Sequence, residues 1–318
     1  MIEHIFPLLM VVCLLFGIFS GYPVMFVLAG IGIIFVFVGG LPPAFIKIGI
    51  SRIYGGVIEN WLLLSVPLFV FMGAMLDKSG LAQNLLYSLE RLLGRKRGGL
   101  AISVAVLGII MAASTGIVGA SVVMLSTLAL PIMLREKYKP ELAVGTIAAS
   151  GTLGILIPPS IMLVLIGDIL HISVGDLFLG AIIPGLLLGG LYIAYIIYVA
   201  ITKPSYTPVS SEQRYEGSLF LSLIRDLFAP VVLILTVLGS IATGTATPTE
   251  AAGLGAISAM ILAAINRKLT KDTITSCIRQ TGNTSAMILG VLVGATIFGM
   301  VFKGLHGDVM IQNAIAYF

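Results

Sequence analysis

Apolar residues run through this chain in long blocks separated by short polar connectors, with no sustained two-residue alternation. Charge is absent from residues 4–46, 60–76, 98–134, 142–167, 177–202, 227–249, 251–266 and 280–302. A helix needs about 20 apolar residues to cross hydrocarbon, and most of these blocks reach that length. No water at that depth satisfies backbone groups, so a segment touched by lipid must be helical. The missing alternation argues against a barrel. The pattern therefore predicts an all-α polytopic membrane protein.

Local chemistry subdivides the blocks. Residues 5–38 are too many for one upright helix, and Gly21, Tyr22 and Pro23 interrupt them, so two short spans or one broken span are expected. Leu41-Pro42-Pro43 opens a polar connector with Lys47, Arg52 and Glu59, and Trp61 begins a span that ends at Asp77-Lys78. A loop is expected over 81–98. It carries Arg91, Arg95, Lys96 and Arg97, and a second basic cluster holds Arg135, Lys137 and Lys139. The positive-inside rule puts both clusters in the cytoplasm. Two full crossings between them need about 40 residues, slightly more than 98–134 supplies. A re-entrant helical hairpin fits better, with its tip at Ala113-Ser114-Thr115-Gly116.

Within the next span lies GTLGILIPPS, residues 151–160. Pro158 and Pro159 lack amide donors, and Gly151 and Gly154 weaken the helix before them, which predicts a discontinuous helix. Further spans are expected near 177–201, 227–241, 251–265 and 287–302. Thr247, Pro248 and Glu250 have the spacing of a capping box that starts a helix. The organisation read from the sequence is N-terminal membrane helices over 1–97, a first-repeat core over 98–202, a polar connector over 203–226 and a second repeat over 227–318. The core holds the hairpin at 98–134 and the broken helix at 142–169.

Composition sharpens this picture. Hydrophobic residues make up 58% of 318 positions and charged residues 10%. The net charge of +4 is not a nucleic-acid signal, because the basic residues sit in short connectors and report topology instead. Cys13 and Cys277 form no metal spacing, and His4, His171 and His306 stand near segment ends. No catalytic constellation emerges, so an enzyme is not expected. The near absence of acids and bases within the spans also argues against a proton relay.

The two helix breaks are where chemistry can sit. Broken helices in transporters offer freed carbonyls to a cation and helix N-termini to an anion. Ser114, Thr115, Gly116, Gly119 and Ser121 supply the hairpin half of such a site. Thr152, Gly154, Pro158 and Ser160 supply the other. The competing explanation is close helix packing, for which Gly116/Ala120 and Ser150/Gly154 have the small-xxx-small spacing. Packing does not require two consecutive prolines.

The motifs GTLGILIPPS (151–160), ATPTEAA (246–252) and VPLFVFMG (66–73), with the hairpin around Ser114, resemble the large membrane subunit of tripartite ATP-independent periplasmic (TRAP) transporters over nearly the whole chain. The resemblance implies an inverted-repeat, elevator-type secondary transporter of the bacterial inner membrane, taking up organic acids with sodium as coupling ion and no other cofactor. A periplasmic solute-binding protein and a small four-helix membrane subunit are the implied partners. A sodium site would draw on Ser114, Gly116, Gly151, Gly154 and Pro158, mostly through carbonyls, and solute would meet Ser114, Thr115, Gly119, Ser121, Thr152 and Ser160. The family also calls for a second hairpin and second broken helix. Nothing after Met287 matches either, so a truncated chain is expected. The alternatives are a single-component sodium-coupled carboxylate symporter and a non-transporting scaffold subunit.

Overall fold

The computed structural model describes residues 5–94, 96–115, 118–209 and 219–316, with side chains described outside 112–115, 120 and 219–225. Among the described residues there are α-helices and short 3-10 and π turns but no strand. Helices α1 (Ile5–Phe19) and α2 (Val24–Val38) divide the first apolar block. They part at Gly21, whose φ of +80° suits glycine, and Pro23 caps α2. Each has 15 residues, about 22 Å of helix, so neither is long enough to span alone.

Then follow α3 (Ala44–Ile53), α4 (Ser65–Lys78), α5 (Leu81–Leu93), α6 (Gly99–Thr115), α7 (Val118–Arg135), α8 (Pro140–Thr152) and α9 (Ile161–Leu170). The last five are α10 (Val174–Thr202), α11 (Leu219–Ala242), α12 (Pro248–Ile265), α13 (Lys271–Gly304) and α14 (Gly307–Ala316). Among the described residues, four segments are long and apolar enough to cross a membrane: Trp61–Lys78, Val174–Thr202, Pro248–Ile265 and Lys271–Gly304.

Two segments differ from the sequence reading. The expected loop over 81–98 is mostly α5, because Leu81, Ala82, Leu85, Leu86 and Leu89 recur at helical spacing and are buried on one face. Its two charged residues, Glu90 and Arg91, stand in the last turn, while Gln83, Asn84 and Tyr87 are exposed on the other face. The connector after Pro43 likewise contains α3 and a π turn at Tyr54–Ile58.

The chain forms two compact units, residues 1–61 with 283–318, and residues 62–282. In the first, Met10, Phe35, Val36, Met300, Val301 and Leu305 make a buried cluster. In the second, α4 is buried almost all round and lies along α12. The close fit comes from Ala251, Gly255, Ala259 and Ala263, four buried small residues spaced by four. A Cβ built on Gly255 would lie 2.6 Å from Met72 Sδ, so this pairing depends on the missing side chain. The expected capping box starts α12, with Thr247 Oγ1 accepting from the Glu250 amide at 3.3 Å and Glu250 accepting from the Thr247 amide at 2.7 Å.

Candidate functional site

The helix that begins at Pro140 stops at Thr152 because the prolines ahead cannot donate. Pro158 and Pro159 remove the amides that would pair with the carbonyls of Gly154 and Ile155 in a continuous helix. The chain instead passes through a 3-10 turn at Leu153–Ile155 and a cis Pro158–Pro159 peptide before α9 begins. Leu153 O accepts from both Leu156 N and Ile157 N at 2.9 Å. Ser160 Oγ donates to Ile155 O at 2.7 Å, standing in for the amide that Pro159 lacks. That hydroxyl is consequently turned away from α9, whose first amides have no side-chain cap.

Two helix ends therefore meet at one buried interruption. The C-terminal carbonyl end of α8 carries partial negative charge, and the N-terminus of α9 carries partial positive charge. Carbonyl and hydroxyl oxygens are hard donors, so the segment suits a hard cation beside an anion. No group of three or more His, Cys, Asp or Glu able to hold a metal occurs among the described residues.

Close contacts hold the interruption against its neighbours. A Cβ on Gly151 would lie 2.3 Å from Val122 Cγ2 and 3.1 Å from that residue's backbone, which brings α8 onto α7 next to Ser121. On α6, a Cβ on Gly108 would lie 2.4 Å from Ser150 Cβ. From α10, Gly185 and Gly189 leave room for Ile157 and Ile109, with built Cβ positions 2.8 Å from each. Leu153 and Ile157 pack on Ile109, Leu188, Tyr192 and Ile234.

The residues singled out in the sequence fall unevenly around this centre. Gly151, Gly154, Pro158 and Ser160 are buried together, and Ser121 is buried on the adjacent α7. Thr152 is exposed, its hydroxyl donating to Ala149 O at 2.7 Å, and Gly119 is exposed with open space around it. Gly116 lies outside the described residues, as do the side chains of Ser114 and Thr115; both of these positions are in the last turn of α6. Gly108, Gly185 and Gly189 escaped sequence reasoning. The four-residue spacing of the latter two was a usable signal.

The chain matches the family described as "Tripartite ATP-independent periplasmic transporter, DctM component" over residues 10–317. It is 32% identical over 246 residues to the C4-dicarboxylate TRAP transporter large permease protein DctM of Pseudomonas aeruginosa, covering 76% of this chain and 56% of that protein. The sialic acid TRAP transporter large permease protein SiaM of Vibrio cholerae is 30% identical over 285 residues, with 89% and 65% covered. The isethionate TRAP transporter permease protein DctMQ of Oleidesulfovibrio alaskensis is 29% identical over 294 residues, with 90% and 45% covered. The chain thus spans about half to two thirds of the length of these relatives.

Proposed function

The chain belongs to the family of DctM components of tripartite ATP-independent periplasmic transporters, which are transport permeases rather than enzymes, and on that premise we propose that it carries organic acids across the bacterial inner membrane with sodium as coupling ion. A periplasmic binding protein delivers the solute, and a small four-helix subunit completes the permease.

The observation that carries this reading is the buried interruption at 151–160, where the α8 C-terminus and the uncapped α9 N-terminus converge. Sodium would be held by main-chain oxygens at Gly151, Gly154 and Pro158 with the hairpin tip at Ser114 and Gly116. The solute carboxylate would sit toward the α9 amides, near Ser121 and Ser160, with Thr115, Gly119 and Thr152 at the periphery. The names of three relatives support an anionic solute, since C4-dicarboxylates, sialic acid and isethionate are organic anions, and a fourth is named for ectoine, a zwitterion that also carries a carboxylate. An elevator movement would then expose the site alternately to the two sides.

The test is uptake by the complete permease, reconstituted with its binding protein and small subunit, as a function of external sodium. Replacing Pro158 and Pro159 by alanine restores two amide donors and should raise the sodium concentration for half-maximal uptake while insertion persists. An unchanged sodium response would remove the interruption from the coupling site.

A further inference from the structure

A cavity of about 460 Å³ opens between α8 and α10 and shares Tyr192 and Ser150 with the packing around the interruption. Water occupies about 30 Å³ per molecule, so this space holds more than a few trapped waters. On α8 the small side chains are responsible: Gly145 and Ala149 leave a gap opposite Ile196 and Val199 of α10. The outer end of the cavity is polar, with Lys203, Tyr206 and Glu141. Its inner end reaches Ser150, a buried serine whose hydroxyl has no hydrogen-bond partner.

The outer end is built around one tyrosine. Lys139 Nζ donates to the Tyr206 hydroxyl at 2.8 Å and stands 4.1 Å from the ring centroid, while Lys203 Nζ stands 5.3 Å from the same centroid. The hydrogen bond raises the Lys139 pKa and lowers that of Tyr206, so the two groups hold one another in place with Lys139 charged. An ammonium has three donors, which leaves two of those on Lys139 for another acceptor. Glu141 opposes an anion there, and the two lysines outnumber it. Tyr195 and Tyr198, both exposed near this end of α10, match the aromatic belt that marks headgroup depth.

Along the cleft the chemistry runs, as in a lipid, from cationic and aromatic at the helix ends to mostly apolar inward, where Thr146 and Ser150 are the hydroxyl-bearing residues. From Glu141 to Ser150 the cleft follows α8 for about 13 Å, against about 15 Å for half of a bilayer's hydrocarbon. Basic pockets between membrane helices are known to take anionic headgroups. We propose that an anionic glycerophospholipid occupies this cleft, its phosphate at Lys139 and Lys203 and one acyl chain running inward between α8 and α10 to Ser150.

The test is lipid retention by the purified, solubilised protein in native mass spectrometry, with dioleoyl phosphatidylglycerol, dioleoyl phosphatidylcholine or inorganic phosphate added. Wild type should retain phosphatidylglycerol over phosphatidylcholine, and inorganic phosphate should not compete. Lys139→Gln and Lys203→Gln should each weaken retention about fivefold, the equivalent of the usual gain per basic residue at an anionic surface. Gly145→Leu should abolish it with both lysines intact, because Gly145 lines the cleft and a Cβ built there meets no atom within 4 Å, so the larger side chain extends into the cleft. Gly145→Ala, which barely intrudes, should retain lipid and controls for folding. Equal retention of the two lipids would overturn the proposal, as would displacement by inorganic phosphate. Normal retention in the lysine variants or in Gly145→Leu would do the same, and an empty wild-type cleft would assign it to another occupant.

Discussion

Gly108→Ala tests whether the contact of α6 with α8 beside the interruption requires a residue without a side chain. The added methyl would lie 2.4 Å from Ser150 Cβ and 3.2 Å from two Ser150 backbone atoms. Helix propensity favours alanine by about 1 kcal/mol, while forcing a methyl into a packed contact costs about 1–3 kcal/mol. The net expectation is a loss of up to about 2 kcal/mol. Ser150→Gly should be close to neutral, since it removes a buried hydroxyl without a partner but weakens the helix by a few tenths of a kcal/mol. The double variant relieves the Cβ–Cβ clash and leaves only the 3.2 Å backbone approaches, so a coupling energy of about 1 kcal/mol is expected. Gly145→Ala, in open space on α8, should instead stabilise by about 0.5–1 kcal/mol. The assay is thermal exposure of Cys277, a buried thiol of the same unit, followed with a thiol-reactive fluorophore in a Cys13→Ser background. Stability of Gly108→Ala equal to that of Gly145→Ala, or strict additivity in the cycle, would refute the contact's role.

Other variants address neighbouring features. Ser160→Ala leaves the Ile155 carbonyl without its substitute donor and should cost about 1–3 kcal/mol in the same thermal assay; an unchanged midpoint would show that another group takes over. Thr247→Ala breaks the capping box and should cost about 1 kcal/mol, with Thr247→Ser recovering most of it. Tyr138, buried in the turn before α8, has its phenol pKa pushed up to about 12, first by burial. Its neutral form is favoured in the fold, so the associated stability is complete below pH ~10 and is lost as pH rises from ~10 to ~12. Circular dichroism across that range should show a shallower loss of helix in Tyr138→Phe than in wild type.

Features encoded within a few residues were legible without any structure. Long uncharged blocks specify helices because lipid offers no alternative partner for the backbone. The interruption within 151–160 follows from two prolines without amides, and the start at Pro248 follows from three residues of a cap. Over residues 81–93 the basic residues at and beyond the C-terminal end suggest a loop and mask a buried leucine stripe, although the helical period is present. What tertiary structure alone decided is which faces meet. Gly108 finds Ser150, Gly151 finds Val122 and Gly185 finds Ile157 only once the helices are packed, because nothing local to a glycine names the residue it will face. The same holds for the approach of Lys139 and Lys203 to Tyr206 and for the pairing of α4 with α12. Hydropathy and backbone bonding act along the chain and can be read from it, whereas the gaps and contacts between helices depend on residues far apart in sequence.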